Sequence, residues 1–253
     1  MSNELILAIS GNDIFSGGGL HADLATYTTN KQHGFVAVTC LTAMTEHGFE
    51  VIPVDPTTFA QQLNSLKDVP FSAIKLGLLP NVEVADLALD YVKAHADIPV
   101  VLDPVLVCKE THDVEVSALR DELIKFFPSV TIITPNLPEA EILTQSKIQS
   151  LDEMKEAARK LHELGAANVV VKGGNRLNKE KAIDVFYDGQ DFTVFEEDVL
   201  EKNNTGAGCT FASSIASQLV QGKATLEAVE ASKAFVYQAI QKSDQYGVVQ
   251  YDQ

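Results

Sequence analysis

Six short runs of unbroken apolar residues, each closed by Gly, Pro or Asn, constrain this chain more than any other feature. They are LILAIS (5–10), FVAVTCL (35–41), SAIKLGLL (72–79), PVVLDPV (99–105), VTIITPN (130–136) and NVVVKGG (168–174). A strand covered on one face alternates apolar with polar, whereas a strand covered on both faces reads as continuous Val, Ile and Leu. Helical patterns fall between the runs, at about 18–31, 57–67, 82–96, 115–127 and 151–164. In the last of these, Leu151, Met154, Ala158 and Leu161 recur at three- and four-residue steps, acids crowd the first turn, and Gly165 stops it. Alternation of strand and helix predicts an α/β fold, a three-layer αβα sandwich around a mostly parallel sheet. IDVFYDG and DFTVFEED predict a small β hairpin around Asp188-Gly189, and two helices follow at about 206–221 and 224–242. With no linker, repeat or composition break, residues 1–253 read as a single domain.

Of the 253 residues 45% are hydrophobic, enough for a sizeable core, and 35 acidic against 19 basic residues give a formal charge of −16. Such a surface repels nucleic-acid backbones and anionic lipid, so the expectation is no nucleic-acid partner and no membrane. Any anion must be held in a local pocket against the protein's own field. Cys40, Cys108 and Cys209 make neither a disulfide framework nor a C-x-x-C zinc pattern. The first ten residues lack the basic cluster of a signal or transit peptide, and no run is long enough to span a bilayer. A reduced, cytoplasmic protein is the expectation.

Ligands of open α/β sheets sit outside the carboxyl ends of the strands, and the unusual residues of this sequence lie there. Asn203-Asn204-Thr205-Gly206-Ala207-Gly208-Cys209-Thr210 leads straight into FASSIASQLVQG. Small residues ahead of a helix leave amides uncovered, an anion hole suited to a phosphoryl group, with Cys209 beside it and its thiolate favoured by the helix start. The same spacing also fits a plain Gly-rich turn with an inert Cys. Ser10-Gly11-Asn12-Asp13 and Ser16-Gly17-Gly18-Gly19 follow the first strand without Walker A or G-x-G-x-x-G spacing. Asp13 and Asp23 offer carboxylates to a substrate, or are simply a turn residue and a helix-surface residue. Asn136 and Glu139, in TPNLPEAE, fit a capping box or the water ligands of Mg²⁺. Lys172-Gly173-Gly174 places a cation where nucleotide phosphates could lie. Asp103, closing its strand, requires a partner, either a metal-bound water or a Lys. Taken together these point to phosphoryl transfer; no G-x-S-x-G elbow supports a hydrolase.

GNDIFSGGGLHADLATY, TCLTAM, AIKLGLL, DPVLVCK, TPNLPEAE, VVKGG and NNTGAGCTFASSIA stand in the order found in the ribokinase superfamily. The chain resembles the branch holding hydroxymethylpyrimidine kinases and bacterial pyridoxal kinases, over about residues 5–242. The resemblance implies MgATP as donor, a heteroaromatic hydroxymethyl group as acceptor, and a homodimer. It implies that Gly206, Ala207 and Gly208 form the anion hole, and that Cys209 stands where sugar-kinase relatives place an Asp base. It assigns Asp103 and Glu139 to Mg²⁺, and Asn136, Lys172, Gly173, Thr205, Gly206 and Gly208 to ATP. Gly11, Asp13, Asp23, Met44, Val107 and Cys108 match the acceptor pocket.

Two features tilt the acceptor toward pyridoxal. Hydroxymethylpyrimidine kinases usually carry Gln where this chain has Met44, and a thioether cannot pair with an aminopyrimidine; it suits packing on a methylpyridine ring, or simply filling core. Cys108, in Val107-Cys108-Lys109, could add reversibly to an aldehyde. The loop after Val105 is expected to close over the site. Asn12, Phe15 and Thr205 depart from the branch, where Ser and His are usual at the first and last of these. The expected activity is phosphorylation of the pyridoxal 5′-hydroxymethyl group. A hydroxymethylpyrimidine kinase and a non-catalytic sensor of nucleotide or vitamer are the rivals.

Overall fold

The computed structural model describes residues 4–106 and 113–251. Its chain divides into two compact units, Met1–Asp103 with Lys202–Gln253, and Pro104–Glu201.

The first unit opens with β1 (Leu5–Ser10), α1 (Gly19–Thr29), β2 (His33–Val38) and the strands β3 (Cys40–Thr45) and β4 (Gly48–Pro53). It continues through α2 (Pro56–Ser65), β5 (Ala73–Leu76), α3 (Val82–Lys93) and β6 (Val100–Leu102). β1 pairs in parallel with β2 and with β5, and β5 with β6, giving the order β6-β5-β1-β2. Residues 6–9 of β1, all of β5 and all of β6 are buried. That is the two-sided burial their unbroken apolar runs predict.

The second unit carries α4 (Asp113–Ile124), β7 (Ile132–Ile133), α5 (Leu137–Thr144), α6 (Leu151–Glu163) and β8 (Val169–Lys172), then β9 (Lys181–Tyr187) and β10 (Phe192–Asp198). β7 and β8 are parallel; β8, β9 and β10 are antiparallel neighbours. The β9–β10 hairpin is the predicted one. Asp188 Oδ1 accepts from the amides of Gln190 and Asp191, and Gly189 takes φ +94°, where an L side chain would be strained. The chain then returns to the first unit with α7 (Ala207–Val220) and α8 (Thr225–Gln241).

The fold class is the expected one, α/β with a mostly parallel sheet flanked by helices, plus a small separate antiparallel ribbon. That ribbon, β3–β4, is the element the sequence reading did not contain. The apolar run 35–41 predicts one strand, but the chain breaks at Thr39, whose amide donates to Ser10 O while its carbonyl accepts from the amide of Val54. α5 was likewise unassigned, although its N-cap was recognised. No helix among the described residues is long and apolar enough to cross a membrane.

Ile74, fully buried in β5 between partners on β1 and β6, tests the core directly. Ile74→Ala is expected to cost about 2 to 5 kcal/mol, read as a lower urea midpoint with an unchanged slope.

Candidate active site

The glycine-rich segment after β1 is shaped by one carboxylate. Asp13 Oδ1 accepts from the amide of Phe15 at 3.0 Å, and Oδ2 from that of Gly18 at 2.9 Å. Asp13 thus organises its own loop, the turn role foreseen for it. The loop is tied to the hairpin, because Asn12 N donates to Cys40 O and Ile14 N to Thr42 Oγ1, both at 2.9 Å. Gly11 lies in the same seam, where a Cβ would come within 2.4 Å of Cys40 Sγ. Two residues beyond Thr42, Met44 stands opposite Phe49 and is 60% exposed. Exposure on that scale removes the core-filling reading of Met44.

Facing this loop is the start of α7. Gly206 caps the helix at φ +83°, and a Cβ there would sit 1.7 Å from Gly17 O. Both the positive φ and the close approach require glycine. Thr205 donates from its amide and its hydroxyl to Asn203 Oδ1, which fixes the turn ahead of the helix. Ala207 N bonds to Asn204 O and Thr210 N to Gly206 O. Among the described residues, the amides of Gly208 and Cys209 have no acceptor. Two free donors at the positive end of a 14-residue helix are the components of an anion site.

Beneath that start lies a buried charge cluster. Lys75 Nζ bonds to Asp23 Oδ1 at 2.8 Å, and neither side chain has accessible surface. Ser213 Oγ donates to the same oxygen at 2.6 Å and lies 3.3 Å from the Tyr27 hydroxyl. Burial raises the Tyr27 phenol, with Asp23 adding to the rise. Burial works to neutralise Lys75, but the negative charge of Asp23, with smaller contributions from Cys209, Asp103 and Tyr27, holds it protonated well above the ordinary lysine range. Asp103, itself buried after β6, adds to the negative field around Lys75.

Two expectations are corrected here. Asp23 neither lies on a helix surface nor offers its carboxylate to a substrate, because it is fully buried and engaged by Lys75 and Ser213. Cys209 is not poised as a thiolate. Its side chain is half-buried, yet desolvation pushes the thiol up to about 11; Lys75 and the amide of Gly19 pull it down, while Asp23 and Asp103 push it further up. The sequence reading also missed Lys75. Its signal was present, a lone charge inside the apolar run SAIKLGLL. Val107, Cys108 and the stretch after them to 112 lie outside the described residues.

In the second unit, Asn136 and Glu139 close a reciprocal capping box at the start of α5. Asn136 N donates to Glu139 Oε2 at 2.8 Å, and Glu139 N to Asn136 Oδ1 at 2.9 Å. The capping reading is therefore correct, and it fixes a buried carboxylate at a strand end. Asn136 also bridges to Lys172, whose amide donates to Pro135 O. Gly173 N is shared between Ile183 O and Asp184 Oδ1, both at 2.9 Å, and a Cβ on Gly173 would lie 2.2 Å from Ile183 O. Asp184, opposite Lys172 in the β8–β9 register, is a second buried acid that the sequence reading passed over. Glu139 in this unit is a hard oxygen donor of the kind that Mg²⁺ takes alongside retained waters, and so, taken by itself, is Asp103 of the first unit. The uncovered amides of the first unit fit the phosphates of a nucleotide.

Residues 13–252 match the family described as phosphomethylpyrimidine kinase. The chain is 39% identical to the pyridoxine kinase of Bacillus subtilis, covering 96% of this chain and 92% of that one. It is 34% identical to the hydroxymethylpyrimidine/phosphomethylpyrimidine kinase of Aquifex aeolicus, covering 96% of each. Among solved structures, the pyridoxal kinase from Staphylococcus aureus in complex with AMP-PCP and pyridoxal is similar at TM-score 0.91 and 34% identity, over 99% of this chain and 94% of that one. The phosphomethylpyrimidine kinase from Clostridium difficile is similar at TM-score 0.80 and 31% identity, over 94% and 100%.

Two outcomes follow from the geometry. Gly206→Ala should lower the melting temperature and the urea midpoint, since left-handed strain and a backbone clash coincide there; unchanged unfolding would contradict the close approach to Gly17. Alkylation of Cys209 by iodoacetamide, followed by mass spectrometry, should rise with pH and inflect near 11, because only the thiolate reacts and burial delays its formation.

Proposed function

The chain belongs to the phosphomethylpyrimidine kinase family, and from that premise we propose that it phosphorylates vitamin B6, moving the γ-phosphoryl group of ATP to the 5′-hydroxymethyl group of pyridoxal. The observation that carries the chemistry is the start of α7, where the uncovered amides of Gly208 and Cys209 lie beside the Cys209 thiol. In transfer, the acceptor oxygen forms a bond to phosphorus, the bond to the leaving ADP oxygen breaks, and the hydroxyl proton departs. Amides aimed at the migrating group lower the barrier without having to reorganise. At neutral pH Cys209 is a thiol, so its part is to orient the acceptor hydroxyl, whose proton passes to an oxygen of the transferred phosphoryl group as the new bond forms.

On the donor side, Lys172, Gly173 and Asn136 would meet the nucleotide, with Thr205 and Gly206 at its phosphates. Asp103 and Glu139 would hold the waters of Mg²⁺, which when bound offsets the charge of the phosphates. On the acceptor side, Gly11 and the Asp13-ordered loop would line the pocket, and exposed Met44 would pack on the ring. In this reading residues 1–253 are a single kinase domain that works in the cytoplasm as a homodimer. Its partners are small molecules, and the surplus of acidic residues supports the exclusion of nucleic acid.

Steady-state kinetics with MgATP and pyridoxal, pyridoxine or hydroxymethylpyrimidine test the substrate. We expect kcat/KM for pyridoxal to exceed that for the pyrimidine by about tenfold or more. A preference of that size for the pyrimidine would make this a thiamine-precursor kinase instead. Binding of both ligands without product would make it a sensor. Met44→Gln should raise kcat/KM for the pyrimidine by about tenfold, since an amide supplies pairing worth about 1 to 3 kcal/mol. Cys209→Ala should lower kcat by about 100-fold with little change in ATP affinity; an unchanged kcat removes the thiol from the reaction.

A further inference from the structure

α7 begins without a side-chain cap, because Gly206 at its N-cap carries no group that could accept from the first amides. A Ser, Thr or Asp there would fasten the turn, but it would also consume a donor that the anion site needs. Gly206 and Gly208, two glycines within four residues, loosen that turn further. A turn whose amides stay free, yet must point at a migrating phosphoryl group, has to be held from outside.

The segment after α8 supplies that hold. Asp244 Oδ1 accepts from the amides of Tyr246 and Gly247 at 2.8 and 3.1 Å, and the Asp244 amide donates to Gly247 O, which folds 244–247 into a turn. This turn grips the chain on either side of the free amides. Ahead of them, Val248 N donates to Thr205 O and Asn203 Nδ2 to Asp244 O, both at 3.0 Å. Beyond them, the buried Gln250 donates from Nε2 to the Thr210 hydroxyl at 2.9 Å. Thr210 is fully buried in the first turn of α7, where its amide bonds to Gly206 O. Gly247 packs between the turn ahead of α7 and the loop after β1; a Cβ there would lie 2.7 Å from Thr205 O and 3.1 Å from Gly17 Cα. We propose that Gln250 is a positioning residue for phosphoryl transfer: through the Thr210 hydroxyl it fixes the direction of the Gly208 and Cys209 amides, in place of the cap that α7 lacks.

The inference rests on the kinase reading proposed above, and steady-state kinetics of the full chain with MgATP and pyridoxal, set beside thermal melts, test it. Gln250→Met and Thr210→Val break the same bond from its two ends with little change in volume. Each should lower kcat about tenfold while KM for ATP and for pyridoxal stays within about twofold, since misdirected amides weaken the transition state more than the ground state. The double variant should lose no more than either single one, because one bond is lost in all three. Thr210→Ser, which keeps the hydroxyl, should retain the wild-type kcat. A Gln250 that only packs the C-terminal segment gives another pattern, a lowered melting temperature with wild-type kcat well below the melt, or losses that add in the double variant. Either result overturns the proposal. Should Gln250→Met lack a cooperative melt, Thr210→Val against Thr210→Ser decides alone, and equal kcat in the two rejects the idea. Wild-type protein that forms no phosphorylated product removes the kinase reading and this inference with it, whereas an active wild type matched by Gln250→Met removes this inference alone.

Discussion

Lys75 and Asp23 meet at 2.8 Å with no water able to reach either charge. Removing one partner of such a pair costs about 3 to 5 kcal/mol, because the remaining charge stays buried. The pair therefore fixes where β5 and α1 stand relative to each other, and the Ser213 hydroxyl extends the constraint to α7. The start of α7 can then approach the glycine-rich loop after β1 so closely that neither Gly17 nor Gly206 tolerates a Cβ. Cradle and buried charge share α7, and the glycine-rich loop runs straight into α1, so the two are one construction.

That construction resolves an apparent conflict in the composition. A chain with formal charge −16 is a poor general anion binder. Surface charge is screened over roughly 8 Å at physiological ionic strength, whereas a helix terminus acts at hydrogen-bond distance. In the proposed reading the amides of Gly208 and Cys209 would hold phosphoryl oxygens at that distance, whatever the sign of the wider surface. Glycine is what makes this possible, since it leaves the amides uncovered.

Much of this was legible in the sequence because the relevant physics is local. Continuous apolar runs located all six parallel-type strand positions, and Asn136 with Glu139 announced a cap three residues wide. What escaped depends on contacts distant in sequence. β3 and β4 were missed because the run through Val38 continues into Cys40 and Leu41 without a glycine or proline, and only pairing with residues 48–53 reveals the break. Asp23 and Lys75 are 52 positions apart; the apolar run around Lys75 signals that it is buried, but nothing near it names Asp23 as its partner. Cys209 shows the same limit in its charge state. The helix start, a local feature, favours thiolate, while burial among residues from α1, β5 and β6 decides against it.

A thiol raised to about 11 is a poor general base at neutral pH, and this bears on how a cysteine can stand where related sugar kinases carry aspartate. In a loose phosphoryl-transfer transition state, bond breaking to the leaving group runs ahead of attack, so the nucleophilic hydroxyl retains its proton until late. Little is gained by removing that proton early. The larger requirement is to hold the hydroxyl in line and to stabilise charge on the migrating group, which amides and a metal supply. Under those conditions a neutral, polarisable sulfur that orients the hydroxyl beside the anion hole is sufficient in the proposed reading, and the late proton can pass to an oxygen of the transferred phosphoryl group.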